Sequence, residues 1–288
     1  MKDIAVIIPV HELKSDTEEK LLINAINNVK ECQKYYKDNL NIYIVTPLLL
    51  KNEITQGCSV IINYGDTDFC SQINLAAKTV AEDFFSILEF DDEYNEKWFS
   101  MVKKYYYTNE DVSLFLPINV QIVSKEGYRQ FANEAPWALE FSQDLGYIDF
   151  RSLANYYGVN ITGGVFNRDD FNRIGGLKPS IQVAFNYEFL LRLTNKKLKV
   201  FVVPKEGYKH VIDRDNSLTD VCSTKFTQDE IDKWYALAQQ EYLYEEDRKT
   251  TICNNIEDRK ATICKNIEDR KTTICKNIED KNNNNLNE

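Results

Sequence analysis

Residues 88–94 read LEFDDEY, an apolar run that breaks abruptly into the carboxylates Glu89, Asp91 and Asp92. Carboxylates at the end of a strand-like run suit a hard cation such as Mg2+ or Mn2+, which keeps positions open for phosphate oxygens. If Phe84–Phe90 is one buried strand, alternation places Glu89 and Asp91 on one face and buries Phe90 on the other. An acidic turn capping a helix ahead of Trp98 has the same composition. A second cluster is His210 and Arg214, followed by Ser217, Leu218 and Thr219. His210 is one of only two histidines in the chain, and it suits either a ligand position or ordinary packing. The third is NYEFLLRL, residues 186–193, where Glu188 and Arg192 stand four apart. That spacing fits a helical ion pair, and equally a general base at a helix start facing a cleft.

The elements that must position these groups alternate between two periods. Ile4–Pro9 is a continuous β-branched run, the pattern of a strand buried on both faces. Thr17–Lys37 carries Leu21, Leu22, Ala25, Ile26 and Val29 at helical spacing, with Asp16 as its cap. Short apolar runs follow at Asn41–Thr46 and Ser59–Asn63, then a helix over Phe69–Val80 entered through Asp66, Thr67 and Asp68. Val112–Pro117 reads as a strand, and Glu126–Tyr157 is aromatic-rich without a clear period. A second block opens at Asn160 with a strand, Gly163-Gly164, a short helix and Gly175-Gly176. A helix across Tyr187–Leu193 and a strand over Leu198–Val203 complete it. This alternation predicts an α/β fold with a largely parallel, doubly wound sheet, whose ligands bind at the carboxyl ends of the strands.

A net charge of −10 over 288 residues argues against broad nucleic-acid binding, which needs clustered Lys and Arg. The N-terminal apolar run is too short for a signal peptide, and no later run approaches the roughly 20 residues of a membrane span. Of the seven cysteines, Cys32, Cys58, Cys70 and Cys222 are scattered and three fall in a repeat. Reduced thiols and a cytoplasmic location are expected. From residue 241 the chain changes character. EDRKTTICNNI, EDRKATICKNI and EDRKTTICKNI recur at a period of eleven, marked by Cys253, Cys264 and Cys275. The isoleucines at 252, 256, 263, 267, 274 and 278 fall on one helical stripe, which predicts a helical tail that self-associates through residues 245–280. The alternative is a duplicated polar extension without order. Two domains are expected, 1–240 and 241–288.

Taken in order, the motifs of residues 1–220 resemble glycosyltransferase family 2, whose members have the GT-A fold. IAVIIPVHE is similar to the family's opening strand, and GDTDFCSQINLAAK to its GxxxARNxG stretch, with Gly65 and Asn74 in place. LEFDD corresponds to the LDADD metal motif, TGGVFNRDDFNRIGGL to its Gly-Gly segment and short helix, and KHVIDRDNSLT to its late histidine and Ser-Leu-Thr. The resemblance implies a GT-A, Rossmann-like mixed sheet flanked by helices. It implies a nucleotide-sugar donor bound through Pro9, His11, Glu12, Gly65, Asn74, Glu89 and Asp91. Mn2+ or Mg2+ would be held by Asp91, Asp92 and His210. Three positions depart from the pattern. Thr46 and Pro47 stand where the family often has a nucleobase-binding Asp, and Glu89 replaces the first metal-motif Asp. Phe185-Asn186 replaces the acidic pair of EDxxLxxR, and Asn186 cannot accept a proton at neutral pH. Glu188, with Arg192, is then the nearest candidate base.

Two classes of function follow. One is a metal-dependent, inverting glycosyltransferase acting on an unknown acceptor. The other is a catalytically silent relative, either a glycan or nucleotide-sugar binder or an assembly module that oligomerises through its tail. Acceptor choice belongs to variable loops, here Glu126–Tyr157.

Overall fold

The computed structural model describes residues 1–65, 68–123, 129–181, 183–212 and 225–242. In chain order the elements are β1 (Ile4–Pro9), α1 (Asp16–Tyr35), β2 (Leu40–Thr46), α2 (Asn52–Thr55), β3 (Ser59–Ile62), α3 (Phe69–Thr79), β4 (Phe84–Ile87), β5 (Glu93–Tyr94) and α4 (Trp98–Tyr106). There follow β6 (Val112–Val123), β7 (Arg129–Ala132), β8 (Tyr147–Ile148), α5 (Phe150–Leu153), β9 (Val165–Asn167), α6 (Arg168–Arg173), α7 (Phe185–Asn195), β10 (Lys199–Ile212) and α8 (Gln228–Tyr242). Met1–Tyr242 is one compact unit. The repeats, and the helix and self-association expected of them, lie outside the described residues, as do Arg214, Ser217, Leu218, Thr219 and Cys222.

The strands form one mixed sheet of order β3-β2-β1-β4-β9-β6-β10-β5, with β7 added to β6 and β8 to β10. The long ladders, β1·β2, β1·β4, β2·β3 and β10·β6, are parallel, and β9 is wedged antiparallel between β4 and β6. β1 is buried along its whole length because each face meets a different core. Ala5 and Ile7 pack with α3, α6, α7 and α8, while Ile4, Val6 and Ile8 pack with α1 and α4. Burying each such aliphatic side chain contributes about 1.5–3 kcal/mol. No helix among the described residues is long and apolar enough to cross a membrane.

Several boundaries differ from the sequence reading. The cap of α1 is Ser15, whose hydroxyl accepts from the Glu18 N–H, and Asp16 belongs to the first turn. β6 runs through Pro117 to Val123. Proline offers no N–H, and at that point the β10 ladder breaks register between Val202 and Glu206, so no donor is missed. The strand of the Gly-Gly segment, β9, follows the glycines and does not precede them. The strand order turns back at β1, with β2 on one side and β4 on the other, which opens a crevice at the carboxyl ends of these strands.

Candidate active site

β4 ends at Ile87, three residues short of a strand reaching Phe90. The Leu88 N–H still donates to the Ile7 carbonyl at 3.0 Å, but the Asp92 N–H donates to the Glu89 carbonyl at 3.0 Å and closes a turn. A turn abolishes strand alternation. Asp92 swings inward and is buried, whereas Glu89 and Asp91 stay half-buried at the crevice.

Asp92 thereby reaches β10. Its Oδ2 lies 2.7 Å from His210 Nδ1, and its Oδ1 accepts the Val211 N–H at 3.1 Å. Glu89, Asp92 and His210 each bring one ligand atom to within 4.8 Å of the others. Of the ligand set expected from sequence, Asp91, Asp92 and His210, the last two converge, and the third side chain that meets them is Glu89, because the chain turns where a straight strand was expected. Burial holds the Asp92 carboxyl above the usual carboxylate range, against the lowering effect of the His210 and Tyr208 hydrogen bonds. Burial also acts against a charged His210. The Asp92 hydrogen bond and the negative charges of Asp92, Glu89 and Asp91 outweigh it and carry the ring up to about 9. The His210 ring is therefore protonated at neutral pH, and a cation binding through its nitrogen would have to displace that proton.

The floor of this cluster is aromatic. The Tyr208 hydroxyl accepts the Glu89 N–H at 3.1 Å, and the Tyr94 and Ser86 hydroxyls lie 2.8 Å apart beneath it. Gly163 lies directly on Tyr208: its φ is +75°, and a Cβ there would stand 2.5 Å from the ring. Its N–H donates to the Ile87 carbonyl at 3.0 Å and its carbonyl accepts from Trp98 Nε1 at 2.9 Å, bracing the end of β4. Tyr208 was missed in the sequence reading, although two residues before His210 on a strand it had to share that residue's face.

Pro9 is buried at the end of β1, and His11 and Glu12 follow it exposed, Glu12 paired with Lys14 at 2.9 Å. Gly65 is exposed after β3, its N–H held by the Asn63 side chain at 3.0 Å. Asn74 is a correction. Its amide donates to the Leu177 carbonyl at 2.7 Å and accepts the Leu177 N–H at 2.8 Å, so both ends are spent clipping α3 to the 174–177 turn.

Glu188 is a larger correction. It is fully buried on α7, and its oxygens are held by Arg192 Nε at 3.0 Å, Arg192 Nη2 at 2.8 Å, Lys178 Nζ at 3.0 Å and the Tyr242 hydroxyl at 2.5 Å. Arg192 in turn donates to the Ile174 and Gly176 carbonyls at 2.5 and 2.6 Å. A carboxylate fixed by these contacts and shut from solvent faces no acceptor. Glu188 and Arg192 are the ion pair that their spacing also allowed, anchoring α8 and the glycine turn to α7. Two residues before Glu188, Asn186 is half-buried, and its Oδ1 is buried without a hydrogen-bond partner.

No protein-family model matches the chain, and no curated protein matches it in sequence. Solved structures do match in architecture. S. aureus TarS superimposes with a TM-score of 0.59 at 16% identity over 90% of this chain, which spans 43% of that TarS chain. TarS 1–349 in complex with UDP-GlcNAc gives 0.58 at 13% identity over 86% of this chain and 69% of that one. The complex of TarS 1–349 with UDP gives 0.57 at 13% identity, over 86% and 68%. TarS is a glycosyltransferase of the GT-A family. At such identities the likeness concerns the fold, and the mixed, mostly parallel sheet flanked by helices described above is the GT-A fold.

Proposed function

We propose that this chain is a glycosyltransferase that binds a nucleoside-diphosphate sugar across the ends of β1–β4, with a divalent cation at Glu89, Asp92 and His210. The observation that carries the reading is the convergence of those three side chains at the strand-order reversal, where α/β sheets bind their ligands. The donor set fits a cation. Ligands about 2.1 Å from a metal lie at most about 4.2 Å apart, so a 4.8 Å cluster needs only a slight contraction. The two carboxylates suit Mg2+ or Mn2+, and the imidazole is a ligand that Mn2+ takes more readily than Mg2+ does. Bound there, the cation would neutralise the diphosphate leaving group. The chain's own residues do the rest: Tyr208 and Gly163 fix the turn that presents Glu89, and Asp92 orients the His210 ring. The UDP and UDP-GlcNAc complexes of TarS support a uridine nucleotide as the first donor to try.

Asn186 favours a second reading, donor binding without transfer, because no carboxylate stands at that position and Glu188 is locked away. One experiment separates the two. UDP with Mn2+ at 100 times its Kd should stabilise the fold by about 2.7 kcal/mol, and Asp92→Asn should remove the shift. Under the first reading UDP is also released from UDP-GlcNAc in a Mn2+-dependent way. Binding without release supports the second, and no shift with any nucleotide removes both.

A further inference from the structure

On the face of β10 that carries His210, the ladder continues sideways. Tyr208 and His210 stand beside Asn119 and Gln121 of β6, and these stand opposite Ala132 and Gln130 of β7. Paired residues on neighbouring strands share a face, about 5 Å apart. His210, Gln121 and Gln130 therefore form a cross-strand row leading roughly 10 Å away from the cation cluster. The row beyond His210 consists of amides: Gln121 is half-buried, Gln130 is exposed, and Gln130 Nε2 donates to Gln121 Oε1 at 2.9 Å. Beside it Asn119 is fully buried, with its Nδ2 toward the Thr162 carbonyl at 3.4 Å and its Oδ1 without a partner. Arg129 and Lys209 alternate with Gln130 and His210 along β7 and β10, so their side chains face the other way, where they line a cavity of about 140 Å³ with Val120 and Ile122.

We propose that this amide row is the acceptor subsite, and that it takes a neutral polyhydroxyl group, the hydroxyls of a glycan. The proposal rests on the transfer reading above and gives it a substrate class. A hydroxyl both donates and accepts, and so does a primary amide. The Gln130–Gln121 bond uses the Gln130 NH2 and the Gln121 carbonyl oxygen, which leaves the Gln121 NH2 as a donor and the Gln130 carbonyl oxygen as an acceptor for a ligand. A phosphorylated acceptor calls for Arg or Lys, and Arg129 and Lys209, which flank the row, face the other way, while His210 at its head is bonded to Asp92. A lipid calls for an apolar patch, which a row of amides is not.

The test is saturation-transfer NMR of the full chain with chitotriose and maltotriose, against glucose 6-phosphate as the charged comparison. UDP-plus-Mn2+ thermal shift is measured on the same samples. Neutral oligosaccharides should bind in preference to the sugar phosphate, and Gln121→Leu and Gln130→Leu should each weaken them about tenfold, the usual scale for one or two lost hydrogen bonds. The nucleotide shift should stay unchanged in both variants. Gln130 is exposed, so its variant keeps the fold even if Gln121→Leu does not. Preference for the phosphorylated sugar, wild-type affinity in both variants, or no oligosaccharide binding by a protein that does bind UDP each overturn the proposal. Oligosaccharide binding on this row without any nucleotide binding would sink the donor reading and leave a glycan site standing.

Discussion

Removing the Glu188 carboxylate tests whether it is a catalytic base or a structural anchor. Glu188→Ala would leave Arg192, with a side chain only 8% exposed, and the partly buried Lys178 facing an empty space. Breaking a buried ion pair by deleting one partner costs about 3–5 kcal/mol, mostly because the surviving charge is stranded. For a unit of this size each kcal/mol lowers Tm by about 2–4 °C, so the expected loss is roughly 6–20 °C. The control is Glu93→Ala, whose pairing with Lys209 at 2.9 Å is about half exposed on both sides, and which should cost no more than about 1 kcal/mol. Urea melts of both variants supply the assay. Should Glu188→Ala lose less than about 1 kcal/mol and yet abolish UDP-GlcNAc turnover, the anchor reasoning is refuted and the carboxylate belongs to the chemistry.

Three further outcomes are expected. Gly163→Ala should cost about 1–3 kcal/mol and abolish the Mn2+-dependent shift, because the added methyl must displace Tyr208 from beneath Glu89; calorimetry with and without metal reads both. Cys32, whose thiol burial pushes up to about 12, and Cys70, also raised by burial, should resist alkylation in the native protein at pH 8 and react in urea, as peptide mapping will show. Truncation after Tyr242 should leave the melting transition of the folded unit intact, whereas truncation after Thr227 removes the Tyr242 hydroxyl and the buried Ala238 and should lower Tm by several degrees.

What the sequence made legible is what local periodicity encodes. β1, α1, α3 and the crevice at the strand ends follow from apolar runs and helical stripes that two cores demand at once. Ordered motifs carried the GT-A architecture where no single element could. The errors lie where long-range contacts override local pattern. A hydrogen bond from the Asp92 N–H to the Glu89 carbonyl closes a turn where a strand was expected, and brings Glu89 instead of Asp91 beside Asp92 and His210. The Glu188–Arg192 pair was legible from its spacing, but the Tyr242 hydroxyl that closes over Glu188 comes from 54 residues away, and nothing near Glu188 in sequence announces it. Likewise Asn74 faces Leu177 across 103 residues, so its apparent place in a donor motif gave no sign of its use as a clip. The stretch between β6 and α5 stayed unreadable because its pieces are two to four residues long, too short for a period to show.

The position of β10 has a consequence for how the molecule is made. It is the last strand in the described chain, yet it lies between β6 and β5, both translated about a hundred residues earlier. Until it emerges, β6 holds an open parallel edge and β5 has no partner in the sheet, the kind of exposed edge that invites wrong pairings during synthesis. The carboxylates of the 89–92 turn are present from early on, but their histidine arrives on this late strand. The proposed cation site would thus be complete only in a chain whose sheet has closed, so that metal uptake would report completed folding.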